Sequence, residues 1–79
     1  MNTDEIRDRV GEFLTEELEI DPSKLYGDSR LKEDMGIDSL EVVDIVVLVE
    51  QAFGFRMKAE DFRGIKTLDE LCSFIASRI

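Results

Sequence analysis

The chain has 79 residues, 43% of them apolar, and carries 19 acidic against 10 basic side chains with no histidine, for a formal net charge of −9. That length allows one small domain over residues 1–79 with a modest core, and the apolar share is that of a folded protein. The acidity argues against a nucleic-acid partner, which needs a basic footprint, and suits partners with basic surfaces reached by electrostatic steering.

The charge is also polarised: residues 1–50 hold 15 acids and 5 bases, residues 51–79 hold 4 and 5. The lone cysteine, Cys72, forms no internal disulfide and no cysteine metal cluster, so no metal site is expected. The acidic start, Met1-Asn2-Thr3-Asp4-Glu5, lacks a signal-peptide pattern. The longest apolar run, Ile45 to Val49, is too short to span a bilayer. Together these predict a cytoplasmic protein without a transmembrane segment.

In chain order, Thr3 is placed to cap a first helix, with Asp4 and Glu5 in its first turn. Ile6, Val10, Phe13, Leu14 and Leu18 recur at helical spacing and predict one buried stripe. Asp21-Pro22-Ser23 ends that helix or opens a turn. Residues 21–37 then form a connection longer than usual between helices, which Leu25, Tyr26, Leu31, Met35 and Ile37 can anchor to the core.

The second helix begins at Asp38, a strong N-cap, and Glu41 three residues on completes a capping-box pattern. At 100° per residue, Val42, Ile45, Val46, Val49 and Phe53 face the core. Leu40, Asp44, Val47, Leu48 and Gln51 face the other way, with Glu41 nearby and Val43 and Glu50 at a margin. A helix apolar almost all round is hard to bury fully in so small a chain. This predicts an exposed strip of Leu40, Val47 and Leu48 beside Glu41 and Asp44.

Gly54 stops the helix. Residues 59–64 predict a short helix with Phe62 and Ile65 inward. Thr67 and Glu70 suggest a second capping box, and Leu68, Leu71, Cys72, Ile75 and Ile79 a last buried stripe. The fold class is all-α: a small four-helix bundle of three main helices and one short one, with a long loop between the first and second.

Ser39 sits in the first turn of the second helix with no histidine to activate it, which excludes a serine–histidine–aspartate hydrolase. Glu41 stands where a nucleophile elbow needs glycine. Calcium loops aligned on Gly36 or Gly54 start at Leu31 or Val49 and lack the first acidic ligand. No Walker loop is present. Cys72 falls on an apolar stripe, as an inert core thiol does. An exposed hydroxyl with nothing to activate it reads as a place of attachment, or as a neutral first-turn residue.

Asp34-Met35-Gly36-Ile37-Asp38-Ser39-Leu40-Glu41 resembles the attachment motif of acyl carrier proteins, D-x-G-x-D-S-L-[DE]. The resemblance extends over nearly the whole chain and is closest to free-standing, type II carriers. It implies that Ser39, with Asp38 in the motif, receives 4′-phosphopantetheine from coenzyme A through a phosphopantetheinyl transferase. It implies a monomeric carrier that is not an enzyme and holds acyl groups as thioesters for fatty acid, polyketide or specialised lipid pathways.

The resemblance also makes the second helix the recognition helix. Glu41, Asp44 and Glu50 would meet basic patches on acyl-transferring, condensing and reducing enzymes, with Leu40, Val43 and Val47 as apolar contacts. It places the acyl chain in a cavity at Val46, Val49, Phe53, Met57, Phe62 and Ile65. The chain departs from the family pattern at Gln51-Ala52, at Phe55-Arg56-Met57-Lys58 and at Phe62, where a small residue is frequent. These departures leave open a carrier dedicated to one acyl group. The alternatives are an aminoacyl carrier protein and an unmodified acidic helical protein-interaction module.

The crowding of like charge in residues 1–50 predicts that salt or divalent cations raise the melting temperature. Calorimetry across an ionic-strength series checks this, and a flat series contradicts it.

Overall fold

The computed structural model describes residues 2–79. Three α-helices form the frame: α1 (Thr3–Glu16), α2 (Ser39–Phe53) and α3 (Leu68–Ala76). A 3₁₀ turn, Pro22–Lys24, lies in the long connection after α1, and the short helix expected before α3 is a 3₁₀ helix, Ala59–Gly64. α1 packs against both other α-helices, and α2 also packs against the 3₁₀ helix.

The amphipathic stripes meet in one core. Ile6, Val10, Phe13 and Leu14 of α1, Ile45 and Val49 of α2, and Leu68, Leu71, Cys72 and Ile75 of α3 are all buried. Leu31, Met35 and Ile37 tie the long loop to this core, as their apolar character predicts, and Met57 and Ile65 do so for the segment after α2.

Several local expectations are corrected. The cap of α1 is Asn2, whose Oδ1 accepts the Glu5 N–H at 2.9 Å, and Thr3 is the first helical residue. Asparagine outranks threonine as a cap, and Asn2 has the extended backbone that position needs. Of the two readings of Asp21-Pro22-Ser23, the turn holds: α1 ends at Glu16, and Asp21 opens the 3₁₀ turn, its Oδ1 accepting the Ser23 N–H at 2.9 Å. Glu19 takes a positive φ of 55°, and the chain folds back so that the Ile20 N–H reaches the Leu14 carbonyl at 3.0 Å. Leu18 therefore lies past the helix and is half-buried against the core.

Tyr26 is 66% exposed and anchors nothing, and Ile79 lies beyond the end of α3 and is exposed. At Thr67 only half of the capping box forms. Its Oγ1 accepts the Glu70 N–H at 3.2 Å, while the Glu70 carboxylate meets the Thr67 hydroxyl and not its N–H.

The long loop is fastened to the entrance of α3 by backbone bonds. The Leu31 N–H donates to the Lys66 carbonyl (2.9 Å), the Leu68 N–H to Ser29 (3.0 Å) and the Asp69 N–H to Gly27 (2.9 Å). Two amide groups that the start of α3 would leave unpaired are thereby satisfied. Arg30 and Thr67 face each other as an isolated antiparallel bridge. A Cβ at residue 27 would meet the Asp69 carboxylate, an exposed side-chain end that would have to turn aside. That carboxylate in turn pairs with Arg7 of α1.

Ile45 is fully buried at the centre of α2. Ile45→Ala is expected to cost about 2–5 kcal/mol of unfolding free energy through lost burial and the cavity left behind. Urea unfolding checks this; a loss below about 1 kcal/mol would contradict a central place for Ile45.

Candidate functional site

Ser39 is presented by the turn that precedes it. The Gly36 N–H donates to the Lys32 carbonyl (3.1 Å) and the Ile37 N–H to Leu31 (3.0 Å), closing the loop in front of α2. Gly36 adopts φ 72°, a left-handed conformation that side-chain-bearing residues rarely take. Asp34 holds the same loop: its Oδ2 accepts the Arg30 N–H at 2.7 Å and lies 3.6 Å from the Arg30 Nε. That backbone donor, aided by the guanidinium charge, holds the Asp34 carboxyl below the usual carboxylate range.

Asp38 then caps α2 as expected. Its Oδ1 accepts the N–H groups of Leu40 (3.0 Å) and Glu41 (2.9 Å), and the Glu41 carboxylate reaches back to the Asp38 N–H at 3.5 Å. The carboxylate nearest Ser39 in sequence is therefore committed to capping. Ser39 is the first residue of α2 and is exposed, and its hydroxyl makes no hydrogen bond among the described residues. Without a histidine, and with no side chain bonded to it among the described residues, the hydroxyl has no general base in place. It is open to derivatisation by another protein and unequipped for catalysis of its own.

Along α2, Leu40 (77%), Val43 (54%) and Val47 (47%) are exposed. Asp44 and Glu50 are exposed beside them and Glu41 is half-buried. The apolar strip expected on this helix is present with one exchange. Leu48 is half-buried against the core, and Val43 takes the outward place. The reason is tertiary: α1 covers the flank of α2 that carries Leu48, so the outward arc centres on Val47.

Ser39, Asp38 and Val42 form one wall of an open groove of about 840 Å³. Its other apolar lining comes from Leu31 and Ile37 of the loop and from Ala59, Phe62 and Ile65. Arg30, Lys32, Glu33, Arg63 and Lys66 complete it. Of the six residues expected around an acyl chain, Phe62 and Ile65 line this groove. Val49 and Met57 are buried in the core, Val46 and Phe53 are half-buried against it, and none of these four borders the groove.

The groove's basic residues escape sequence reasoning. Lys32 and Arg63 are far apart in the chain, and the backbone pairing of the long loop with the entrance of α3 brings their segments together. Cys72 is buried, and burial pushes its thiol up from the ordinary value, partly opposed by Arg7. No helix among the described residues is long and apolar enough to cross a membrane.

Ser39 is thus exposed and unbonded at the start of α2, beside the groove. The family model described as "Phosphopantetheine attachment site" matches residues 8–75. The acyl carrier protein of Thermosynechococcus vestitus is 29% identical over 79 residues, covering 100% of this chain and 98% of its own. That of Thermotoga maritima is 32% identical over 76 residues, covering 96% and 94%. Acyl carrier protein 2, mitochondrial, of Arabidopsis thaliana is 32% identical over 77 residues, covering 98% of this chain and 61% of its own.

The chain belongs to the acyl carrier protein family. It carries acyl groups on a covalently attached 4′-phosphopantetheine arm, and members of the family are carriers and not catalysts. Membership removes the reading of an unmodified interaction module.

The Asp38 cap supports a specific expectation. Asp38→Ala should lower stability by about 0.5–2 kcal/mol, while Asp38→Asn, which keeps a capping oxygen, should lower it much less. Equal losses in thermal unfolding of the two variants would contradict a role in capping.

Proposed function

We propose that Ser39 is the residue that carries the arm, within one acyl-carrier domain spanning residues 1–79. The observation that carries this reading is the exposed Ser39 hydroxyl, unbonded at the first position of α2 and flanked by a carboxylate already spent on the cap. A phosphopantetheinyl transferase supplies the base this chain lacks and takes the Ser39 hydroxyl proton. The serine oxygen bonds to the phosphorus of the pantetheine phosphate, the pyrophosphate bond of coenzyme A breaks, and adenosine 3′,5′-bisphosphate leaves. The arm's terminal thiol then supplies thioester chemistry for the acyl cargo.

The helix N-terminus contributes little to holding the phosphodiester, because Asp38 already occupies the Leu40 and Glu41 amides. The Ser39 N–H, which has no backbone partner among the described residues, stays available.

Docking falls to α2. Leu40, Val43 and Val47 offer an exposed apolar strip with Glu41, Asp44 and Glu50 along its edges. Such a surface fits partners whose apolar contact is ringed by lysine and arginine: the transferase and acyl-transferring, condensing and reducing enzymes. A short acyl group lies along Phe62 and Ile65, and a longer one reaches Val46, Val49, Phe53 and Met57 by parting the core beneath the groove. The protein works as a monomer in the cytoplasm, in fatty acid synthesis or in a pathway dedicated to a particular acyl or aminoacyl group. The departures at Arg56, Lys58 and Phe62 favour the dedicated role.

Incubation with coenzyme A and a promiscuous transferase is expected to add one arm to the wild-type chain and none to Ser39→Ala, read by intact mass. An unmodified wild type, or a modified Ser39→Ala, would overturn the assignment. Glu41→Lys/Asp44→Lys is expected to fold normally and to be modified at least tenfold more slowly, through loss of electrostatic complementarity.

A further inference from the structure

The groove beside Ser39 is basic in a strongly acidic protein. Four of the chain's ten basic side chains, Arg30, Lys32, Arg63 and Lys66, line it, against Glu33 and Asp38. Arg30 is partly claimed by Asp34. Lys32, Arg63 and Lys66 have no ion-pair partner among the described residues. Between these cations the lining is apolar, from Leu31, Val42, Phe62 and Ile65. Basic groups gathered in excess of the acids beside them repel one another, and a concave, apolar surface between them suits a ligand that joins hydrocarbon to negative charge.

Because Ser39 lies in the same wall, a group attached there is delivered into this groove by its tether. We propose that Lys32, Arg63 and Lys66 hold a negatively charged group of the arm on Ser39 and so keep the arm in the groove. The chemistry recognised is an anion on a flexible chain. It has two sources, the arm's own phosphodiester and a carboxylate on the acyl cargo. Each exposed ion pair is weak alone, but the tether replaces a bimolecular encounter with a high effective concentration, so weak pairs suffice. The amides at the start of α2 do only part of this work, since Asp38 occupies those of Leu40 and Glu41 and leaves the Ser39 N–H. The proposal rests on Ser39 as the attachment residue.

The test uses the full chain in apo, arm-bearing, butyryl and succinyl forms, each verified by intact mass. Failure to load Ser39 counts against the attachment residue, and the groove is judged only on loaded protein. Amide resonances of Lys32, Val42, Arg63 and Lys66 and the phosphorus resonance of the arm are followed by NMR. The salt range is about 0.01 M to about 1 M, over which the screening length falls from roughly 30 Å to roughly 3 Å.

Loading is expected to shift the groove amides, and the shifts are expected to shrink by more than half at high salt. Lys32→Gln/Arg63→Gln/Lys66→Gln should abolish them, and Lys24→Gln/Arg56→Gln/Lys58→Gln, with the same change in net charge, should keep them. If the phosphodiester is held, the arm-bearing, butyryl and succinyl forms behave alike and the phosphorus resonance moves. If the carboxylate is held, the succinyl form alone responds. Shifts indifferent to salt, or equal effects of the two triple variants, would overturn the proposal. The wild-type salt series decides the matter even if the groove variant fails to fold.

Discussion

The pairing of the long loop with the entrance of α3 is the constraint on which the rest of this structure depends. Three backbone hydrogen bonds, from Leu31, Leu68 and Asp69 to Lys66, Ser29 and Gly27, join segments more than thirty residues apart in the chain. They satisfy the first amides of α3 and press Leu31 and Ile37 into the core. They also set the loop opposite the 3₁₀ helix, which creates the groove. Ser39 borders that groove because the loop is held there, and α2 starts where the loop stops.

Asp38 links this architecture to chemistry. Its carboxylate starts α2 by taking two backbone amides. The same bonds orient Asp38 toward the helix backbone and reduce the amides that the helix N-terminus can offer an anion. Asp38 is thus a structural device, and if Ser39 carries the arm as proposed, its reactivity comes from a second protein. A carrier benefits from this arrangement: its serine is accessible and inert until a transferase engages it.

α2 divides its circumference between two tasks. Ile45 and Val49 hold it to the core, while Leu40, Val43 and Val47 stay in solvent, edged by acids. Exposing three large apolar side chains is unfavourable for an isolated chain, and it is tolerable where partners cover them. The basic groove lies on the other side of Ser39 from this acidic strip. The exposed strip of α2 and the groove therefore have opposite electrostatic character within one small protein.

Sequence by itself determined the helices, their apolar stripes, the Asp38 cap and the Asp34-to-Glu41 motif, because these rest on local propensity, period and hydrogen bonds within a few residues. Periodicity alone also foresaw an outward apolar strip on α2. Periodicity placed Leu48 in it, whereas the family resemblance named Val43; the tertiary structure decided for Val43, since α1 covers the flank that carries Leu48. Tertiary packing likewise decided that Tyr26 stays in solvent and that four of the six cavity candidates lie in or against the core and off the groove. It assembled Lys32, Arg63 and Lys66 around Ser39. Their nearness is a product of loop closure between distant segments, and no local pattern of charge encodes it.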